Sequence, residues 1–327
     1  MRALLLEHYN TPFTLVELPR PTPGAGEVLV RIMASGVNPL DTKIRAGKGD
    51  HAKVNLPAVL GMDLAGVVEE VGADVRDFKK GDEVFGMTGG IGGLQGSLAE
   101  FASVDARLLA IKPGNLTMRE AAAVPLAFIT AWEGLVDRAR VHAGQKVLIH
   151  AGAGGVGHVA VQVAMAFGCE VYATVSAEKK EIVERLGAIP IDYKSTPLAD
   201  YLAEHTRGEG FDMVYDTVGG ATLDASFEAV RTHTGHVVSC LGWGAHKLAP
   251  LSFRGATYSG VFSLLPILTG KGRSHHGEIV REAAKLAEAG KLKPLLNADR
   301  FTLDTSLEAH MKVESGAIGK VVVEIAD

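Results

Sequence analysis

Lys146-Val-Leu-Ile-His-Ala-Gly-Ala-Gly-Gly-Val-Gly-His-Val-Ala-Val-Gln-Val-Ala-Met-Ala-Phe167 is the stretch on which the reading of this chain turns. Residues 146–150 read as a strand and residues 156–167 as a helix. Between them Gly152, Gly154 and Gly157 fit G-x-G-x-x-G, with Gly155 and Val156 in the last gap. That spacing is weak by itself in a chain with 39 glycines. Directly after a strand and opening a helix, it has the context the motif requires. The glycines let the backbone turn tightly and let a pyrophosphate approach the helix N-terminus, where free amides and the helix dipole favour anions. The bland alternative is an ordinary strand-to-helix turn. Strand, helix and second strand all fall in register, which favours the phosphate-binding reading.

Working outward, residues 170–175, 211–216 and 236–241 continue as strands, with helices over about 178–186 and 221–231. Alternation of apolar strands with helices predicts a parallel, doubly wound sheet. Upstream the pattern differs. Residues 27–32, 65–71 and 82–86 are short strands separated by turn-forming segments at 21–26 and 79–82, as in an all-β barrel or sandwich. Residues 86–96 are glycine-rich and read as a flexible loop, and Thr117-Met-Arg-Glu120 reads as a capping box. Past Pro266 come a helix over 278–289, stopped by Gly290, and a last strand over 320–325. That strand is too isolated to be a domain and is expected to return to the N-terminal β unit. The predicted division is residues 1–120 with 267–327, and residues 121–266.

Composition narrows the function classes. The 327 residues are 47% hydrophobic and 22% charged, as in a globular chain of two domains. A net charge of −5 favours no nucleic-acid partner. Cys169 and Cys240 are the two cysteines, too few for a disulfide framework or a CxxC metal site. Glu7 and His8 interrupt the N-terminus before a signal-peptide core develops. The longest stretch without a formal charge, residues 147–169, is cut by His150, His158 and glycines, which argues against a membrane span. A soluble cytoplasmic protein is expected.

The second strand's end bears on the choice of dinucleotide. Chains preferring NAD usually place Asp or Glu there, about 20 residues past the loop, to accept from the ribose hydroxyls. Here the segment is Thr174-Val-Ser176-Ala-Glu-Lys-Lys180, read as hydroxyls followed by lysines, with Glu178 already in the next helix. Ser176 and Lys180 suit a 2′-phosphate, so NADPH is expected over NADH. The alternative is that the lysines form a solvated helix face.

Several strings together resemble the medium-chain dehydrogenase/reductase superfamily, in particular its zinc-free quinone oxidoreductase branch. They are Ser35-Gly-Val-Asn38-Pro-Leu-Asp41, Leu60-Gly-Met62-Asp-Leu-Ala-Gly66, Gly81-Asp-Glu-Val84, Ala123-Val-Pro125, the glycine loop, and Asp216-Thr-Val-Gly-Gly220. They occur in the family's order over essentially the whole chain. The resemblance implies a GroES-like β-barrel catalytic domain, an inserted Rossmann domain, an active-site cleft between them, and homodimers or homotetramers. Zinc alcohol dehydrogenases place cysteine where this chain has Asn38 and histidine where it has Met62, and they carry a four-cysteine lobe. Neither zinc site can be built here.

The resemblance also implies site positions. Thr130 matches a residue near the nicotinamide. Ser176, Lys180 and Tyr193 match positions around the 2′-phosphate. Val218, Leu241, Gly242, Phe262 and Ser263 match the ribose and nicotinamide wall. Asn38 matches a polar residue at the substrate carbonyl, and Lys43 stands where that branch often has tyrosine. Asp41 is a candidate proton relay or a local backbone acceptor. Cys169 and Cys240 are expected to be small buried hydrophobes, His275 and His276 a solvated pair, and Trp132 and Trp243 core residues. The expected activity is NADPH-dependent, zinc-independent reduction of a quinone or an α,β-unsaturated or otherwise activated carbonyl, of the NADPH:quinone oxidoreductase type. The alternatives are a zinc-free NADP-dependent alcohol dehydrogenase and a slow NADPH-binding structural or sensor protein.

Overall fold

In the computed structural model, which describes residues 1–326, β1 (Arg2–Leu6) pairs antiparallel with β2 (Thr14–Glu17). β3 (Glu27–Val37) is the longest strand, and β1 also takes on the short β4 (Ala58–Val59). β5 (Asp63–Val71), β6 (Glu83–Met87), β7 (Phe101–Asp105) and β8 (Leu109–Ile111) complete this half of the unit. β3 pairs antiparallel with β5 and β7, and β6 lies between β5 and β8. Register shifts at Leu29/Val30 and Ile32/Ala34 bend the β3–β5 ladder, the usual effect of a bulge. The stretch after β6 is packed rather than loose. Thr88 and Ile91 are buried, and Thr88 N donates to Met62 O at 2.8 Å.

Thr117 caps the helix Met118–Ala122 as its sequence predicts, with Glu120 Oε2 accepting from Thr117 N at 2.9 Å. That helix packs on β3 and β5, and the first compact unit runs through Ile129. The second unit is Thr130–Ser263. Its strands are β9 (Lys146–Ile149), β10 (Glu170–Val175), β11 (Ile189–Asp192), β12 (Met213–Asp216), β13 (His236–Ser239) and β14 (Thr257–Gly260). All pair in parallel, in the order β11-β10-β9-β12-β13-β14. This is the doubly wound arrangement, in which the order reverses between β9 and β12 and ligands sit at the strands' carboxyl ends. Leu148, Tyr172, Phe211, Val214, Leu223 and Phe227 join in the core on one face of the sheet.

The chain re-enters the first unit at Leu264. The helix Arg273–Glu288 begins earlier than residue 278 and buries His276 on its inner face, so the two histidines are not a solvated pair. His275 alone faces outward, beside Glu278 at 3.2 Å. β15 (Phe301–Thr302) and β16 (Val321–Glu324) close the unit, with β16 antiparallel to β3 in the register Val321↔Val37. No helix among the described residues is long and apolar enough to cross a membrane. Val322, at the centre of β16, is fully buried. Val322→Ala should lower stability by about 2 kcal/mol through lost burial and a residual cavity. The half-exposed Ile318→Ala should change it by less than about 0.5 kcal/mol, both read from urea unfolding.

Candidate active site

The glycine loop owes its shape to two close approaches. A Cβ on Gly157 would lie 2.0 Å from the Ala151 carbonyl oxygen, and one on Gly152 would lie 2.4 Å from Ala173 Cβ on β10. Ala151 takes a left-handed φ of 55° at the start of the turn. Gly152 N donates to Thr174 O at 3.0 Å, and Ala151 N to Thr174 Oγ1 at 3.2 Å, which ties the loop to β10. Gly154 and Val156 are half-buried and Gly155 is exposed at the tip, leading into the helix Gly157–Ala166. Backbone bared at a helix start is what a pyrophosphate needs, so the loop fits a dinucleotide.

His150 lies between β9 and the loop, and the sequence pattern gives it no site role. It is buried, its Nδ1 shares a 3.1 Å hydrogen bond with Thr174 Oγ1, and its Nε2 has no partner among the described residues. Burial lowers its pKa to about 4 against the pull of Asp216, so the ring is neutral at physiological pH.

The end of β10 corrects one expectation. Glu178 is not in the next helix but on the 3-10 turn Ala177–Lys179, and the Ser176 hydroxyl donates to its carboxylate at 2.6 Å. A carboxylate therefore does stand at the strand end. Thr174 and Ser176 are buried there, Lys180 is half-exposed, and Tyr193, following β11, is exposed.

β12 and β13 are pinned by Asp216, which is fully buried. Its carboxylate accepts from Val218 N at 3.0 Å, Gly219 N at 2.9 Å and Ser239 Oγ at 2.6 Å. Ser239 Oγ in turn accepts from Leu241 N at 3.1 Å. This holds the turns carrying Val218, Leu241 and Gly242, and leaves Val218 and Gly242 exposed. A side chain at Gly242 would strike Tyr258, its Cβ 2.2 Å from the hydroxyl. Thr130 and Ser263, far apart in sequence, come together with their hydroxyl oxygens 3.1 Å apart. Tyr215 donates to the Thr130 carbonyl at 2.6 Å and fixes that backbone. Phe262 packs edge-on against Trp243, ring centroids 6.0 Å apart, and Trp243 is half-exposed rather than core. Cys169 is buried and Cys240 partly so, and burial raises their thiols to about 11 and about 12.

In the first unit Asn38 and Asp41 enter a buried polar cluster with two residues that sequence reading did not connect to them, Asp63 and Lys320. Asn38, 1% exposed, donates from Nδ2 to Asp63 Oδ2 at 2.9 Å, and Lys320 Nζ donates to Asn38 Oδ1. Lys320 Nζ lies 3.9 Å from Asp63 Oδ2, and Asp63 Oδ1 accepts from Leu126 N at 2.9 Å. Asp41 Oδ2 accepts from Asn38 N at 2.8 Å, while its Oδ1 is buried without a partner among the described residues. Burial pushes Asp63 up and Lys320 down, and each charge offsets part of the other's shift. Lys43 stands apart, exposed on the helix Pro39–Arg45, where its charge acts on His51. A lysine opening the apolar run 321–323 was the available signal for Lys320.

An amide at Asn38 already committed to Lys320 and Asp63, and a buried thioether at Met62, are not a zinc donor set. No group of three or more His, Cys, Asp or Glu placed to hold a metal occurs among the described residues.

With this geometry in view, the chain matches two family models. The alcohol dehydrogenase GroES-like domain covers residues 24–114, and the zinc-binding dehydrogenase model covers residues 186–323. A 2-methylene-furan-3-one reductase of Solanum lycopersicum is 37% identical over 91% of this chain and 71% of its own. An NADPH-dependent alkenal/one oxidoreductase of Arabidopsis thaliana, described as chloroplastic, is 35% identical over 91% of this chain and 72% of its own. The crystal structure of an alcohol dehydrogenase superfamily protein from Novosphingobium aromaticivorans superposes with a TM-score of 0.98 at 56% identity, covering 99% of each chain. The GroES-like and Rossmann readings of the two units stand.

Desolvation raises Asp41 to about 7, against the opposing hydrogen bond from Asn38 N. Its folded pKa thus exceeds the unfolded value of about 4. The folded state binds the proton more tightly, so stability falls as pH rises from about 4 to about 7 and levels off above that. Asp41→Asn does not titrate. Its stability relative to wild type should climb by up to a few kcal/mol across that window in urea unfolding, and a pH-independent difference would count against the buried proton.

Proposed function

The chain belongs to the medium-chain dehydrogenase/reductase superfamily, and from that premise we propose a zinc-independent, NADPH-dependent reductase of α,β-unsaturated carbonyls and quinones. The observation that carries this reading is the neutral Asn38 amide, clamped between Asp63 and Lys320, whose second N–H has no partner among the described residues. A neutral donor polarises a carbonyl less than a metal ion does, which favours an acceptor that is already electrophilic. The names of the tomato and Arabidopsis relatives, a methylene-furanone reductase and an alkenal/one oxidoreductase, support a conjugated alkene as that acceptor.

NADPH, when bound, supplies the hydride. The backbone of Gly152, Gly154, Gly155, Val156 and Gly157 takes the pyrophosphate. Ser176, Lys180 and Tyr193 take the 2′-phosphate, and Thr174 braces the loop above them. Thr130, Ser263 and Phe262, with the turns at Val218 and Leu241-Gly242, hold the nicotinamide end. Asn38 donates to the acceptor oxygen as negative charge grows there, and Lys320 and Asp63 keep the amide in one orientation. Protonation of the reduced acceptor is left to water.

NADPH consumption at 340 nm over a panel of enones, quinones, aldehydes and simple alcohols tests the reading. Turnover is expected with enones and quinones and should persist after dialysis against a chelator. Loss of activity to the chelator with recovery on added Zn²⁺, or turnover confined to NADP⁺ and simple alcohols, would refute it.

Asn38→Ala should lower kcat/KM by roughly 10- to 100-fold while leaving the Kd for NADPH within about twofold. Equal loss of NADPH affinity would instead mean that the cluster's role is structural.

A further inference from the structure

Lys320 brings a cation to the buried cluster of the first unit, and its backbone fixes where that cation sits. Lys320 N donates to Leu295 O at 2.7 Å, and Lys320 O accepts from Asn297 N at 2.9 Å. The residue directly precedes β16, whose Val321 stands opposite Val37 on β3, and this register brings Lys320 alongside Asn38. Its side chain is 5% exposed, and among the described residues Nζ meets a single hydrogen-bond acceptor, Asn38 Oδ1. Asp63 Oδ2, 3.9 Å from that ammonium, lies beyond hydrogen-bond reach of it and accepts instead from Asn38 Nδ2 at 2.9 Å. The amide bridges a buried cation and a buried anion.

That bridge has a direction. An ammonium at the amide oxygen and a carboxylate at the amide nitrogen both favour the resonance form with negative oxygen and positive nitrogen. The second N–H of Asn38 is then a stronger donor than the same amide would be alone, the mutual polarisation expected of a hydrogen-bond chain in low dielectric. Through space the two ions act oppositely. Asp63 repels negative charge growing on an acceptor held by Asn38, and Lys320 offsets that repulsion. Burial favours loss of the Lys320 proton, and both Asp63 and Asp41 oppose that loss.

Resting on the reading that Asn38 meets the acceptor oxygen, we propose that Lys320 is a positioning residue that determines specificity: its charge, carried through the Asn38 amide, sets how weak an electrophile this chain can reduce. A quinone spreads the incoming charge over its own conjugated ring and needs little from the amide. A simple enone gathers more of that charge on one oxygen and depends on the amide's strength as a donor. Removing the charge at position 320 therefore narrows the acceptor range toward quinones and does not lower every rate alike.

The test is single-turnover oxidation of NADPH by the full chain, followed by absorbance, with para-benzoquinone, an unsaturated aldehyde and cyclohexenone as acceptors of falling electrophilicity. Wild type is compared with Lys320→Met, which removes charge and hydrogen bond together, and with Lys320→Gln, which keeps a neutral donor for Asn38 Oδ1. Both variants should slow hydride transfer to cyclohexenone by about 10- to 30-fold and to benzoquinone by less than about threefold, with NADPH affinity unchanged. Lys320→Met strands the Asp63 charge in the interior and can unfold the chain, in which case Lys320→Gln decides. A loss equal for all three acceptors, or wild-type rates in Lys320→Gln, overturns the assignment and leaves Lys320 a purely structural residue. Wild-type chain that oxidises NADPH with none of the three overturns the enone and quinone reading itself, so the two failures are distinguishable.

Discussion

The second unit depends on a steric constraint, the absence of a Cβ at Gly152 and Gly157. With the Ala151 carbonyl 2.0 Å from where a Gly157 Cβ would sit, no other residue lets the helix Gly157–Ala166 start so close to β9. The consequence extends across the sheet. The loop leans on β10 through Thr174, and Thr217 Oγ1 donates to the His150 carbonyl at 2.7 Å from the β12 side. The first strand's exit is thus fastened to both neighbours at the point where the strand order reverses. Asp216 repeats the device one strand further on, using a buried carboxylate where β9 uses missing side chains.

The first unit solves a different problem, the burial of charge. Two carboxylates and an ammonium sit in one cluster, and desolvating each ion is costly. Asn38 makes the arrangement tolerable because an amide can accept from Lys320 and donate to Asp63 at the same time. Asp41, whose Oδ1 has no partner among the described residues, is relieved of its charge by desolvation, which raises its carboxyl to about 7. Protonation there removes one negative charge from a cluster whose low-dielectric surroundings disfavour every charged form.

How much of this was legible follows from the range of each interaction. The glycine loop, the strands β9, β10 and β12 and the Thr117 cap are local patterns, and the sequence carries them plainly. β11 has no clear strand signature because Ile189-Pro-Ile-Asp holds a proline, nor does β14, because Thr257-Tyr-Ser-Gly is an edge strand with little apolar signal. The burial of His276 depends on a helix that starts earlier than its apolar pattern suggests. Lys320 meets Asn38 across 282 residues of chain, and no local spacing encodes such a pairing. Glu178 failed for the opposite reason. Its contact with Ser176 spans only two residues, but it requires a 3-10 turn where helical continuation was the simpler expectation.

Fold and chemistry separate at this point. The GroES-like and Rossmann units place strand ends and loops, and that much is shared with relatives whose names describe different reactions. What this chain adds is the identity of a few side chains on that frame. In the reading proposed above, an amide at Asn38 supplies a neutral donor, weaker than a metal ion, whose benefit depends on excluding water from a developing oxyanion. Such a donor needs an acceptor that spreads the incoming electron pair over a conjugated path, because the protein then has less charge to stabilise at one atom. Conjugated alkenes and quinones meet that requirement through their own electronic structure, whereas an isolated ketone does not. On that proposal the electrophilicity missing from the protein's side has to be present in the substrate, so the polarity of one clamped amide bears on substrate class more directly than the fold does.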